Sequence, residues 1–182
     1  MKKNIINCPV CDSKNYRLKY SPSLIISDPK ILYGAASGVP GSQTIVECAE
    51  CSLLYENPRY PDEIILKGYT NSDEDGHDSQ YNMRVKSFLN ALYKSRMFLP
   101  KCGAKVLDIG TAGGAFLDAA KNFGYDAYGM EPSSYLVKKG QRRGLQIEQG
   151  TIDTHNFKPL TFDLICLWDV IEHLTDPKKS LL

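Results

Sequence analysis

Four cysteines and one run of small residues carry most of the chemistry available to this 182-residue sequence. Cys8-Pro-Val-Cys11 and Cys48-Ala-Glu-Cys51 are two C-x-x-C units. Two thiolates held this way in a tight turn grip one metal ion, and a second such turn completes the closed four-sulfur tetrahedron that Zn²⁺ favours in structural sites. The rival readings are two disulfides or two redox-active pairs. A reducing compartment opposes the first, and neither pair has the βαβ context of a redox motif. Cys8, Cys11, Cys48 and Cys51 are therefore expected to hold a structural zinc ion. Cys102 and Cys166 fall outside the pattern and read as packing residues.

The second chemical feature is "VLDIGTAGGAFLDAA", an apolar run followed by Asp108 and then Gly110-Thr111-Ala112-Gly113-Gly114. Strand–glycine–helix transitions of this kind hold nucleotide cofactors. A dinucleotide site wants G-x-G-x-x-G. Gly110, Ala112 and Ala115 keep that spacing only with two glycines replaced by alanine. Asp108 would crowd a pyrophosphate, whereas it suits an ammonium group. A third cluster, Asp169-Val-Ile-Glu172-His173, offers bases: a histidine titrates near neutral pH and can accept a proton.

The elements that must position these residues are legible in outline. Asn15–Tyr20, Ser42–Glu47 and a segment from Cys51 to Tyr55 read as short strands around the cysteines, with a Pro/Gly/Ser-rich loop between the first two, the outline of a zinc ribbon. Residues 62–100 read as a linker and an approach helix. Within it, a short helix follows two prolines and an acidic, polar stretch (Thr70–Gln80) holds His77 as a solvated loop residue. From Tyr81 to Leu99, Val85, Phe88, Leu89 and Leu92 recur at helical spacing, so one face should pack on the domain C-terminal to it. Tyr81 and Arg84 can face a cofactor there, or serve at the surface or in packing. From Ala104 strand and helix alternate: AKVLDI, GAFLDAAKNFG, YDAYGM, SSYLVKKGQRRG, LQIEQG and then FDLICLW, whose continuous apolar character suits a buried parallel strand. This predicts an α/β fold with a Rossmann-like, doubly wound parallel sheet, partial and ordered 3-2-1-4, preceded by a small zinc ribbon. The domains are expected at 1–61, 62–100 and 101–182. Lys138, Lys139, Arg142 and Arg143 read as a solvated basic face.

Asp108-Ile-Gly110-Thr-Ala112-Gly113-Gly114 resembles the first motif of the class I S-adenosylmethionine-dependent methyltransferases, with the middle glycine replaced by Ala112. "FDLICLWDVIEHLTDP" resembles the fourth-strand motif of the same family, and "CPVC…CAECSLLYENPRYP" is similar to a zinc-binding leader found on some of its members, with Ser52 in place of the usual glycine. The resemblance implies a cofactor site built from Asp108, Gly110, Thr111, Ala112, Gly114, Glu131, Pro132, Ile152, Asp153, Asp169 and Val170. Glu131 would take both ribose hydroxyls, Ile152 and Asp153 would lie by the adenine, and His155 near its edge or exposed. Asp169 and Val170 would border the methyl-transfer site, with His173 and Asp169 as catalytic candidates. Asp169, Glu172 and His173 are also similar to the E-x-x-E-H motif of metal-assisted O-methyltransferases, against the plainer reading that Glu172 and His173 orient the loop.

The implied activity is S-adenosylmethionine-dependent methyl transfer to a small-molecule acceptor, sugar- or glycan-related by analogy with relatives bearing the leader. The alternatives are a zinc-ribbon binding module fused to a degenerate, non-catalytic α/β domain, and an NAD-dependent oxidoreductase. Lys and Arg total 22 against 21 for Asp and Glu, which weakens nucleic-acid binding through a broad positive field. No apolar stretch approaches the roughly 18 residues of a membrane helix, and the start lacks a signal-peptide core, so a cytoplasmic protein is expected. The family's domain has seven strands and four are visible, so the chain reads as the C-terminally truncated front of a longer protein.

Overall fold

The computed structural model describes residues 2–24, 43–65, 80–154 and 157–181. Most of the loop read at 21–41, part of the linker (66–79), His77 and His155 lie outside the described residues. The chain divides into two compact units, Met1–Ser72 with Glu172–Leu182, and Asp73–Ile171.

In the first unit β1 (Tyr16–Tyr20), β2 (Ile45–Cys48) and β3 (Leu54–Glu56) form an antiparallel sheet in that order. Leu18 lies opposite Val46, and Val46 opposite Tyr55, so one face gathers the apolar positions. On the other, Arg17 and Lys19 pair with Glu47. The core is small: Cys8, Val46, Cys48 and Tyr55, with Ile6 and Leu53 packed against it. A core of this size needs a staple to hold its shape. Asn57, 1% exposed, ties the N-terminal segment down by accepting from Ile6 N–H (3.0 Å) and donating to its carbonyl (3.2 Å). Arg59 donates to the Asp62 carboxylate (2.9 Å) and to the Thr175 carbonyl (2.8 Å), beside the short helix Pro177–Leu181.

The second unit runs α1 (Tyr81–Ser95), β4 (Lys105–Ile109), α2 (Ala115–Phe123), β5 (Asp126–Glu131), α3 (Ser134–Arg142), β6 (Gln146–Gln149) and β7 (Leu164–Cys166). All neighbouring strands are parallel, in the order β6-β5-β4-β7. This is the expected 3-2-1-4 order. Val106, Phe116, Leu117, Ala120 and Ala127 form the core with Leu92, and Val85, Phe88 and Leu89 pack on it, so the apolar stripe of α1 is buried as its spacing requires. Burying a side chain such as Phe116 or Leu117 contributes about 1.5–3 kcal/mol.

Two elements depart from expectation. Helix α1 stops at Ser95, not Leu99. Its apolar stripe ends at Leu92, and Met97 and Phe98 stand 82% and 91% exposed, so no buried face supports a further turn. Strand β7 spans three residues rather than seven and is not fully buried, with Ile165 52% exposed. Its place at the sheet edge, next to β4 alone among the described residues, accounts for that exposure.

Candidate functional site

The glycine loop is built from the carboxyl ends of β4 and β5. Gly110 and Thr111 both donate their N–H groups to the Met130 carbonyl, at 2.8 and 3.1 Å, which hangs the loop on the end of β5. Gly110 has φ +70° and Gly114, capping α2, has φ +87°, the left-handed region where glycine carries no Cβ penalty. A Cβ at Gly110 would lie 2.6 Å from Val170 Cγ2, so the glycine admits the residue four positions beyond β7. Ala112 also adopts a left-handed conformation, φ +50°, and tolerates it at a cost of about 1 kcal/mol. What holds Ala112 there is Glu131: Oε2 accepts the Ala112 N–H and Oε1 the Ser133 N–H, both at 2.9 Å.

Asp108 lies beneath this loop, 2% exposed, and its Oδ1 has no hydrogen-bond partner. Burial pushes the Asp108 carboxyl up to about 7; the Thr111 hydroxyl works against the rise, Glu131 adds to it and the Arg84 guanidinium opposes it. The cleft above is lined by Tyr81, Arg84, Phe88, Asp108, Gly110 to Gly113, Ala115, Phe116, Leu136 and Trp168. Phe88, Phe116 and Trp168 pack ring on ring, with centroids 5.2 to 5.7 Å apart. An orphaned buried acid facing a polar loop and an aromatic wall fits a ligand that brings a cation to the acid and an apolar body to the rings.

Of the residues singled out in the sequence, Asp108, Gly110, Thr111 and Ala112 border this cleft, Gly114 caps the helix behind it, and Glu131 holds the loop. Pro132 comes directly after β5, and its carbonyl accepts from Gln149. Ile152 packs with Leu107, Ile109, Met130 and Val170, while Asp153 is exposed. Asp169, exposed and left-handed at φ +55°, lies just past β7 in this unit, whereas Glu172 and His173 fall in the other. His173 is exposed in a 3-10 turn, Ile171–His173. Phe88 and Trp168 carried no functional signal in the sequence, because a Trp or Phe at helical or strand spacing reads first as core. Arg143 is not merely part of a solvated face: it donates to the Gly113 carbonyl. Cys166 packs against the core, and burial pushes its thiol up to about 12. Cys102 is exposed rather than packed, and donates to the Gly124 carbonyl at 3.2 Å.

In the other unit, the four thiols of Cys8, Cys11, Cys48 and Cys51 lie within 4.8 Å of one another. Cys8 and Cys51 sulfurs are 3.5 Å apart, as are those of Cys11 and Cys48. A tetrahedral zinc with Zn–S near 2.3 Å spaces its sulfurs by about 3.8 Å, so the cage fits that ion. The two turns match. Asp12 N–H donates to the Cys8 carbonyl and Ser52 N–H to that of Cys48 (2.9 and 3.1 Å), and Asp12 and Ser52 share a left-handed backbone at φ +61° and +62°. Ser52 thus adopts the conformation a glycine would take there. The Cys51 N–H, then that of Glu50, hold the Cys48 thiol well below its ordinary range, whereas burial and neighbouring thiols raise those of Cys11 and Cys51.

A parallel doubly wound sheet whose glycine loop closes over a buried acid defines a Rossmann-like α/β domain of the methyltransferase class. Residues 79–182 match the family described as "Methyltransferase domain", and the chain belongs to that family. A "Ubiquinone biosynthesis O-methyltransferase" of Xylella fastidiosa (strain 9a5c) is 28% identical over 116 residues, 60% of this chain and 47% of that protein. The chain therefore spans about half the length of the curated relative it matches. Among solved structures, it is similar to a Thermotoga maritima protein described as an SAM-dependent methyltransferase, possibly a histamine N-methyltransferase (22% identity, 59% of this chain and 49% of that one, TM-score 0.47). It is also similar to Haemonchus contortus phosphoethanolamine N-methyltransferase 2 in complex with S-adenosyl-L-methionine (24%, 52% and 24%, TM-score 0.46). No helix among the described residues is long and apolar enough to cross a membrane.

Proposed function

We propose that the cleft binds S-adenosylmethionine and that the protein containing this chain transfers its methyl group to a small-molecule acceptor. The observation that carries this reading is the pairing of buried Asp108 under the glycine loop with Glu131 at the end of β5. S-adenosylmethionine, when bound, supplies an electrophilic methyl group on a sulfonium. Asp108 takes the ammonium of the methionine moiety, an ion pair that offsets the cost of ionising a buried carboxyl. Glu131 takes the ribose diol; an ionised carboxylate offers about four acceptor positions, and the two loop N–H groups use one on each oxygen. Gly110, Thr111, Ala112 and Gly114 shape the loop, Pro132, Ile152 and Asp153 border the nucleoside, and Val170 packs the far side of Gly110. Most of the rate comes from positioning the acceptor in line, and Asp169, in the same unit as the cleft, is the group available to remove its proton. The sugar- or glycan-related class of acceptor rests on the resemblance of the cysteine leader alone.

We further propose a structural Zn²⁺ on Cys8, Cys11, Cys48 and Cys51, supported by the tetrahedral spacing of the sulfurs. The cofactor reading is tested by Glu131→Ala. Loss of the carboxylate should weaken S-adenosylhomocysteine binding by tenfold or more, from about 1.5–3 kcal/mol of charge-assisted hydrogen bonding. Unchanged affinity in a variant that stays folded would remove Glu131 from the site.

A further inference from the structure

We propose that Arg143 and Tyr81 form a clamp that fixes the glycine loop in its ligand-binding shape, an inference that rests on the S-adenosylmethionine reading of the cleft. Arg143 comes directly after the last residue of α3 and Tyr81 is the first of α1, so they are remote in sequence. Their side chains meet: the guanidinium carbon lies 4.0 Å from the Tyr81 ring centroid. The same guanidinium donates to the Gly113 carbonyl at 3.3 Å. The Tyr81 hydroxyl donates to Asp118 Oδ2 at 2.7 Å and lies 3.5 Å from the Gly114 carbonyl.

The Gly113 carbonyl is thus engaged from outside the loop, while Glu131 holds the Ala112 N–H. Glycine peptides have the widest conformational choice of any in the chain. Within the loop the Gly114 N–H donates to the Thr111 carbonyl at 3.0 Å, and Arg143 fixes the other end of the Gly113–Gly114 peptide by donating to its oxygen. Gly113 is itself adapted to the clamp, since a Cβ there would stand 3.2 Å from the Arg143 guanidinium. The chemistry is specific to arginine: a planar group can stack on a ring and donate along its edge, and lysine cannot do both. Arg143 and Tyr81 are positioning residues that lower the cost of ordering the loop when ligand arrives.

The test uses Trp168, the one tryptophan in the sequence, which lines the cleft and reports ligand by its fluorescence. S-adenosylhomocysteine is titrated into the wild type, Arg143→Ala, Arg143→Lys, Tyr81→Ala and the exposed neighbour Arg142→Ala. Amide hydrogen exchange across residues 110–115 is measured without ligand. Arg143→Ala and Tyr81→Ala should each weaken binding about tenfold, since each removes the stacking contact that holds the guanidinium on the Gly113 carbonyl. The double variant should be little worse than either alone, because the pair acts as a unit. Arg143→Lys should recover only a small part, and Arg142→Ala should bind as wild type. Loop amides of Arg143→Ala should exchange faster while those of β4 and α2 keep their protection. Wild-type binding matched by Arg143→Ala overturns the clamp alone. A wild type that binds nothing overturns the cofactor reading and the clamp with it.

Discussion

Asp108 is the residue most at odds with its surroundings. Its carboxyl, raised from 3.8 to about 7 by burial, binds more protons in the folded chain than in the unfolded one across that window. Stability therefore falls as pH rises from about 4 to about 7 and levels off above, the reverse of an ion-paired acid. Asp108→Asn removes the titration. Thermal melts from pH 5 to pH 8 without ligand should show the variant gaining on the wild type by a few kcal/mol as pH rises; parallel curves would mean that Asp108 is not held uncharged. An acid retained at such a cost is explained by a cationic ligand. Asp108 was legible in the sequence because a carboxylate just before a glycine loop is chemically unusual, whereas Glu131 was reached through the family resemblance. Arg143 was not, since its partners, Tyr81 and Gly113, are set by tertiary packing and no local spacing announces them.

At the scale of elements, two cysteine turns with the same carbonyl-to-N–H closure and left-handed exit residue present four sulfurs to one point. Among the described residues the core they serve gathers four buried side chains, two of them the cysteines themselves, so the metal should carry much of the ribbon's stability. Exhaustive chelation should release one zinc per chain, measured with a metallochromic dye, and abolish amide protection in β1 to β3. Cys102→Ser and Cys166→Ser should leave the stoichiometry unchanged. Intact protection after full metal loss would make the site dispensable for folding. That the sheet is parallel was readable from the alternation of strand and helix, whereas its order came with the family resemblance, since alternation alone also permits other orders. The ends of elements were less so. Helix α1 stops where its buried stripe stops, and the apolar Met97 and Phe98 beyond it mimic a continuation they do not make.

At the scale of the whole molecule, the grouping of the C-terminal residues escaped local pattern altogether. Residues Glu172–Leu182 group with the N-terminal unit, anchored by the bond from Arg59 to the Thr175 carbonyl, while Asp169 stays with the sheet. The acidic and imidazole groups of "DVIEH", contiguous in sequence, are thus divided between two units. The sheet, the glycine loop and the buried acid all lie within Asp73–Ile171, most of which the family match also covers. The central claim is that this unit is a half-site for S-adenosylmethionine, and calorimetric titration of the zinc-replete protein tests it most directly. S-adenosylmethionine and S-adenosylhomocysteine should both bind with dissociation constants on the order of micromolar, near −8 kcal/mol, and NAD should give no heat of binding. Binding of NAD alone would contradict the account.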